Sequence, residues 1–415
     1  MLNKEGMREL AYVVYVDGIE PIPGKDRVEC ARVGGWTCMV PKGAFQVGDP
    51  GVYFEIDSQV PVDKAPFEFC AKYKGHIKTQ KYKIEGGQFW SQGLLMPASE
   101  FGWTVDRIDE TFITDDKMVH HIPGTESAFL TKQLGVTYYE PEDNKRKAKT
   151  NPDAKINAAL ARHPKIAKRW GKVIKKNKFL RKMFILLFGK KKDSRNWIEG
   201  VPKTDEERIE NRVWTLEAGD VQWVATEKID GTSTTFYLSR SKGVKKGEYL
   251  VCSRNVVFDT PEKGKNNYYM DTLGNVYLEM SEKYKVKAAL EKLLANRPSA
   301  DWVAVQAETF GMGIQKRDYG MKDHEIRAFN LRYSDCGRVG TLEMRDALEP
   351  LGIPCVPIIS EAMTLPSTVE ELRKFVHSAP SAIDGGMKEG IVFRSLDGSD
   401  SFKCVDPEFL VKYHQ

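Results

Sequence analysis

Between Val221 and Leu238 two strand-like runs meet at one sharp polar turn. Val221-Gln222-Trp223-Val224-Ala225 is apolar, and Ser233-Thr234-Thr235-Phe236-Tyr237-Leu238 is β-branched and aromatic. Thr226-Glu227-Lys228-Ile229-Asp230-Gly231-Thr232 lies between them. Residues of these types favour a pleated, half-buried backbone. A lysine there has an apolar wall behind it and a tight glycine turn after it. Such a setting can hold an amine facing a pocket, although a surface hairpin of the form Lys-x-Asp-Gly reads the same way.

The N-terminal part is also rich in short strands. Leu10–Val16 is β-branched and aromatic, and Arg27–Val33 alternates with period two. Gly34-Gly35 turns that run into Trp36–Val40, and Gly51–Ile56 follows Gly48-Asp49. Short strands with glycine turns at this spacing predict a small barrel, and a five-stranded oligonucleotide-binding (OB) barrel fits the size. In Tyr73–Lys83 basic and aromatic residues interleave. Lys74, Lys78, Lys81 and Tyr82 suit a nucleic acid, cations meeting phosphates and rings meeting bases. The same residues would suit a solvated edge strand guarded by lysines.

Between the two strand-rich parts the chain changes character. Glu140–Lys147 reads as a charged linker. From Lys165 to Lys192 there is no acidic residue. Ile166, Trp170, Val173 and Ile174 fall at helical spacing, as do Leu180, Phe184 and Leu187, which predicts a basic amphipathic helix or pair of helices. A phosphate-backbone contact, a membrane-surface segment and a helix packed on a neighbouring domain all fit this pattern. Pro202–Arg208 reads as a helix start, with Thr204 as cap and Glu207 as its capping-box partner. Further on, Tyr284–Ala295, Thr341–Glu349 and Thr368–His377 read as helices. Tyr249–Asn255, Asp301–Gly311, Glu325–Tyr333, Lys388–Arg394 and Ser401–Val405 read as strands.

Bulk properties exclude some classes. A net charge of +5 over 415 residues does not by itself imply a nucleic-acid partner. The seven cysteines show no CxxC pair and no Cys/His ligand spacing, which argues against structural zinc and for a reducing compartment. His120-His121 is read as a loop feature. The polar N-terminus is unlike a signal peptide, and the longest apolar run, Met183–Phe188, is too short to cross a bilayer. A soluble, intracellular, cytoplasmic protein is expected.

In the C-terminal half, isolated polar groups stand at strand ends: Lys228, Arg254, Glu308, Glu389 and Lys403. The ordered set Lys228-Ile229-Asp230-Gly231, Ser253-Arg254-Asn255, Glu308-Thr309-Phe310-Gly311, Ala328-Phe329-Asn330, Glu389-Gly390-Ile391-Val392 and Lys403 resembles the motifs of covalent nucleotidyltransferases. These are ligases and capping enzymes that form a lysyl–nucleotide intermediate. Ile22–Arg27, Val33–Trp36 and Val52–Asp57 resemble the N-terminal module of the RNA ligase family typified by the Deinococcus enzyme, which places an OB-like module first and ends soon after its last motif.

The resemblance implies an α+β protein. Residues 1–140 would form an OB-like nucleic-acid-binding module and 141–212 a basic helical linker. Residues 213–415 would form an adenylyltransferase domain of antiparallel sheets and flanking helices. It implies an ATP-dependent RNA ligase needing Mg²⁺ or Mn²⁺ and acting as a monomer. The substrate would be RNA or an RNA/DNA duplex nicked with RNA on the 3′-hydroxyl side.

By the same resemblance Lys228 is the nucleophile. Glu227 meets the adenine amino group, Arg254 the ribose or phosphate, and Glu308 the ribose hydroxyls. Phe329 stacks on adenine, and Lys403 neutralises the α-phosphate. Glu389 holds the metal, Asp230 helps to orient it or the lysine, and Gly231 belongs to the nucleotide-binding turn. Related ligases often carry two alternating lysines in the last motif, whereas Ser401 and Val405 flank Lys403 here. A free lysine, with a pKa of about 10.4, is almost wholly protonated at neutral pH, so its pKa must fall before it can attack. A GTP-using capping guanylyltransferase and an inactive nucleic-acid-binding protein are the rival readings.

Overall fold

The computed structural model describes residues 1–3, 8–101, 129–139, 160, 164–188, 197–217, 219–240, 247–254, 257–258 and 276–414. His120-His121 and the charged stretch from Glu140 to Lys147 lie outside the described residues.

The N-terminal domain is built from β1 (Ala11–Tyr15), β2 (Gly18–Pro21), β3 (Val28–Val33), β4 (Trp36–Pro41) and β5 (Pro50–Phe54). These are followed by β6 (Ser58–Gln59), β7 (His76–Ile77), β8 (Gln80–Ile84), β9 (Gly87–Ser91), β10 (Leu94–Pro97) and β11 (Thr137–Tyr138). β5 pairs with β1 on one side and β10 on the other, both antiparallel. β2, β3 and β4 form a second antiparallel sheet. The unbroken apolar run of β1 has a physical reason, because both of its faces are buried. Ala11 and Val13 pack with Phe54 and Phe67, while Tyr12 and Val14 pack with Trp36 and Tyr53.

The basic segment forms two helices, α1 (Pro164–Lys176) and α2 (Lys178–Phe188). Asn177 separates them, its side-chain oxygen accepting from the backbone N–H groups of Phe179 and Leu180. Trp170, Val173, Phe179 and Met183 are exposed. The next expected helix is absent. Glu207–Arg208 is instead a short strand, β12, lying parallel to the last strand of the chain. Thr204 caps nothing; its hydroxyl is 2.8 Å from that of Ser233. Glu207 reaches Asn211 instead of closing a capping box. Side-chain partners outside the segment, unreadable from local spacing, override the helix-start signal here.

The C-terminal domain has two facing sheets. Its strands are β13 (Trp223–Lys228), β14 (Thr232–Ser239), β15 (Tyr249–Ser253), β16 (Val257–Phe258), β17 (Trp302–Gly311), β18 (His324–Tyr333), β19 (Gly337–Arg338), β20 (Ile358–Met363), β21 (Gly390–Ser395) and β22 (Ser401–Val405). One sheet runs β12-β22-β21-β13-β20, the other β16-β15-β14-β17-β18-β19. Helices α3 (Val276–Lys283), α4 (Val286–Ala295) and α5 (Thr341–Leu348) cover the six-stranded sheet. There Phe236, Val303, Val305 and Leu331 meet Leu290, Met344 and Leu348. Helix α6 (Val369–Ser378) buries Val369, Leu372 and Val376 against Trp223, Phe393 and Phe402 of the five-stranded sheet. Thr368 caps it, accepting from Glu371 N–H. A last helix, α7 (Pro407–Tyr413), begins at the Asp406 cap.

β13 and β14 therefore do not pair as a hairpin. Each belongs to a different sheet, and Ile229-Asp230-Gly231 is the crossover between them. Ile229 is buried with Phe310, Tyr319 and Val356. The Asp230 N–H donates to the Tyr319 hydroxyl at 2.7 Å. A Cβ at residue 231 would lie 2.4 Å from the Thr309 carbonyl oxygen, so only glycine fits.

The domains meet through polar groups. Trp36 Nε1 and the Tyr12 hydroxyl donate to Asn211 Oδ1 at 2.7 and 3.0 Å, and Asn211 Nδ2 donates to Glu55 at 2.9 Å. Arg373 bridges Glu210, Gln92 and the Gly35 carbonyl. Among the described residues no helix is long and apolar enough to cross a membrane.

Candidate active site

The crossover opens on a cleft between the two sheets, a cavity of about 540 Å³ and so of the size that holds a small ligand. Its lining includes Glu227, Lys228, Asp230, Gly231, Arg254, Glu308, Phe329 and Lys403. Residues far apart in the chain thus converge on one space. Glu389 joins them by contact, its carboxylate 2.6 Å from Lys228 Nζ.

The register explains the meeting. Lys228 pairs with Gly390 across β13 and β21, which sets Glu389 beside the lysine. A Cβ at residue 390 would lie 2.3 Å from the Cys404 carbonyl oxygen, so the glycine lets β22 come close. On β22, Lys403 pairs with Val392. On the opposite sheet Glu308 pairs with Ser233, two residues beyond the crossover.

Electrostatics set the protonation states. Burial alone would lower the Lys228 pKa, but Glu389, Glu308 and Asp230 outweigh it and hold the amine above its ordinary value. The expected fall is thus not seen, the neighbouring carboxylates favouring the paired ammonium. Burial pushes Glu308 up to about 8, with Lys228 opposing and Glu389 and Asp230 adding to the rise. Burial, and after it Arg8, push Lys403 down to about 8 against the pull of Asp205.

The carboxylates around Lys228 bear on metal binding. No three such ligands converge on one point among the described residues. Mg²⁺ does not need them to, because it is usually held by one or two carboxylates together with phosphates and water. Asp230 Oδ2 is buried and makes no hydrogen bond among the described residues. Glu389 with Asp230 therefore fits a hydrated divalent ion bound together with a nucleotide.

Other expected residues have definite partners. Both oxygens of buried Glu227 are engaged, one by the Ser381 hydroxyl and one by the Ala382 N–H at 2.7 Å. Arg254 donates to Asp205 at 3.1 Å. Phe329 packs beside Ile229 and Phe310 on the cavity wall.

Lys74, Lys78, Lys81 and Tyr82 are not among the cavity-lining residues. Lys81 pairs with Glu408 of α7 at 2.8 Å and lies 5.0 Å over the Trp90 ring, so it ties the two domains together. Tyr82 bonds Gln80 on its own strand. Lys74 is the left-handed cap of the turn Glu68–Tyr73.

Some site residues escaped the sequence reading. Asp205 accepts from Lys403 at 2.7 Å and pairs with Arg8 at 3.2 Å. Glu206 accepts from Arg394 at 3.1 Å and from the Ser401 hydroxyl. His414 Nε2 lies 3.3 Å from Asp230 Oδ1, and despite burial that contact raises the imidazole pKa. The acidic run Asp205-Glu206-Glu207 was the available signal, and its helix-start pattern obscured it.

The site thus sits between two facing sheets, with Lys228 at their crossover, in a domain that follows an OB-like one. Residues 221–414 match the RNA ligase family profile and residues 10–98 an OB-fold domain profile. The chain is also similar to solved structures of Naegleria gruberi RNA ligase. A variant with ATP and Mn aligns over 98% of this chain and 100% of that one, at 24% identity and TM-score 0.68. The enzyme with pyrophosphate, and another variant with AMP and Mn, each align over 98% of this chain and 99% of the other, at the same identity and TM-score. At this identity the likeness shows the shared fold. No curated protein matches the chain significantly.

Proposed function

We propose that the chain seals RNA breaks with ATP through a covalent Lys228–AMP intermediate. The observation that carries this is Lys228 itself: an amine held at the sheet crossover, on the wall of a ligand-sized cavity, 2.6 Å from a carboxylate. Lys228 Nζ attacks the α-phosphorus of ATP, the new P–N bond forms and the bond to pyrophosphate breaks. Glu389 is in hydrogen-bond reach of the ammonium proton that must leave. A bound Mg²⁺ or Mn²⁺ supplies positive charge beside the phosphates and disfavours the ammonium form. Lys403 and Arg254 face the same space as cations for the phosphates once Asp205 yields them. Phe329 offers a face to the base, and Glu308 can meet the ribose hydroxyls. AMP then passes to a 5′-phosphate, and a 3′-hydroxyl displaces it to close the phosphodiester.

The remaining assignments follow from this reading. Glu227 serves adenine only by exchanging its Ser381 or Ala382 bond. The OB-fold domain, with Lys74, Lys78 and Tyr82, grips the nucleic acid as in a Deinococcus-type ligase, and the chain works as a monomer on a nicked duplex. The test is a sealing assay on nicked duplexes that differ only in RNA or DNA on each side of the break. Efficient sealing with RNA at the 3′-hydroxyl side supports the proposal. Sealing of single strands alone, or none with any ATP-fed substrate, sinks it.

A further inference from the structure

At one end of the cavity, away from Lys228, three guanidinium groups meet. Arg332, Arg338 and Arg394 all line it, as does Ser401. Arg394 pairs with Val224 in the β13–β21 register where Lys228 pairs with Gly390. Four strand residues separate the two levels, about 13 Å along the sheet.

The charge at this end is only partly compensated. Glu206 is the only carboxylate among the described residues within ion-pair distance of any of the three. It lies 3.1 Å from Arg394 and 3.6 Å from Arg338. Arg212, the next arginine along, is neutralised by Asp400 at 2.6 Å. Arg338 also donates to the Ser401 hydroxyl at 3.2 Å and the Gly398 carbonyl at 2.8 Å.

Arg394 is only 4% exposed, yet among the described residues its Nε and Nη1 have no hydrogen-bond partner, and neither has Arg332 Nε. Donors left unmade in a buried site are costly unless something else satisfies them. Burial lowers the pKa of both Arg394 and Arg332, and repulsion from Arg338 adds to the fall, the direction that a bound anion would reverse.

We propose that Arg332, Arg338 and Arg394 form a subsite for a terminal phosphate group. Three cations less one carboxylate leave two positive charges, matching the near-dianionic charge of a phosphate monoester. Planar guanidiniums bind phosphate oxygens two at a time, which suits the free Nε and Nη1 of Arg394. Two sources present this chemistry at a ligase site: the tail of the ATP triphosphate and the 5′-phosphate of the strand to be joined. The inference rests on the ligase reading for its substrates.

The experiment compares the wild-type chain with Arg338→Gln, Arg332→Gln and Arg338→Lys. It follows label uptake from α-labelled ATP, AMP transfer from preloaded enzyme to a 5′-phosphate nick, and sealing of a strand already adenylylated. Loss of one charge-assisted contact should cost about tenfold or more. If the subsite holds the ATP tail, the Gln variants need about tenfold more ATP for labelling while sealing of the adenylylated strand is unchanged. If it holds the strand's phosphate, labelling is normal and transfer slows by a similar factor. Arg338→Lys recovers part of either loss.

Melting with added tripolyphosphate gives a readout independent of ligation. The wild type gains thermal stability from it, and Arg338→Gln gains less. Labelling and transfer both within about twofold of wild type, in variants that melt normally, overturn the subsite. If the wild type takes no label at all, the ligase reading fails. The subsite then stands or falls on the tripolyphosphate shift.

Discussion

Asp205 Oδ1 lies 2.7 Å from Lys403 Nζ, and the same carboxylate reaches Arg8 of the N-terminal domain and Arg254 across the cavity. One acid thus holds together a domain contact and two cations of the candidate site. Desolvation opposes its ionisation, but Lys403, Arg8 and Arg254 overcome that and hold its pKa far below the usual carboxylate range. Its stabilising effect is complete above the unfolded pKa of about 3.9 and is lost as pH falls through the folded value. Asp205→Ala leaves buried cations unpaired and should destabilise the protein by about 3 kcal/mol, read from urea unfolding at pH 7. An unchanged midpoint and slope would show the contact to be incidental.

Lys403 gives the opposite sign. Its folded pKa of about 8 is below that of a free lysine, so its buried charge costs stability below that value. The cost is relieved between about 8 and 10.4, because there the unfolded chain binds more protons. Function runs the other way. If Lys403 neutralises phosphate, label uptake by Lys228 should fall as pH rises through about 8. Lys403→Arg keeps its charge at every such pH and should move that fall upward. Glu308 also titrates near 8, so the comparison belongs in a Glu308→Gln background. An alkaline limb that ignores the Lys403→Arg change would remove Lys403 from the phosphate-binding role.

Gly231→Ala tests the crossover. The added Cβ would meet the Thr309 carbonyl oxygen, a backbone atom that cannot swing away. A loss of about 1–3 kcal/mol in unfolding free energy is expected, together with slower label uptake at saturating ATP. A variant as stable and as active as wild type would mean that the two sheets do not clamp this turn.

Asn211→Ala tests how the domains are joined. It strips the buried Trp36 indole of its acceptor, whereas the Tyr12 hydroxyl keeps Glu55 at 3.0 Å. Each buried group left unpaired costs about 1–3 kcal/mol. The expected result is a separate, earlier unfolding transition of the N-terminal domain by calorimetry.

Much of this architecture is legible in the chain, for stated reasons. β-branched alternation marks strands such as Arg27–Val33 because each residue faces one side of a pleat. Thr368 marks a helix start because its hydroxyl accepts from Glu371. The ordered motifs gather around one cavity, with Lys228 and Glu308 on different sheets.

What local pattern cannot show is which sheet a strand joins. Thr226–Thr232 reads as a hairpin, yet its two strands part company. Nor can it show that Thr204-Asp205-Glu206-Glu207 is held extended by partners about two hundred positions away, such as Lys403 and Arg394. Lys81 looks like a nucleic-acid contact by composition, but Glu408 claims its charge. Arg338 and Arg394 carry no motif; only the folded sheets bring them together.

The most direct test of the account is the first chemical step. The full chain is incubated with ATP labelled at the α-phosphate and a divalent cation, then denatured and assayed for bound label. The account predicts acid-labile label on wild type, none on Lys228→Ala, and release of the label as ATP when pyrophosphate is added. Equal labelling of Lys228→Ala, or labelling from GTP but not ATP, would contradict it.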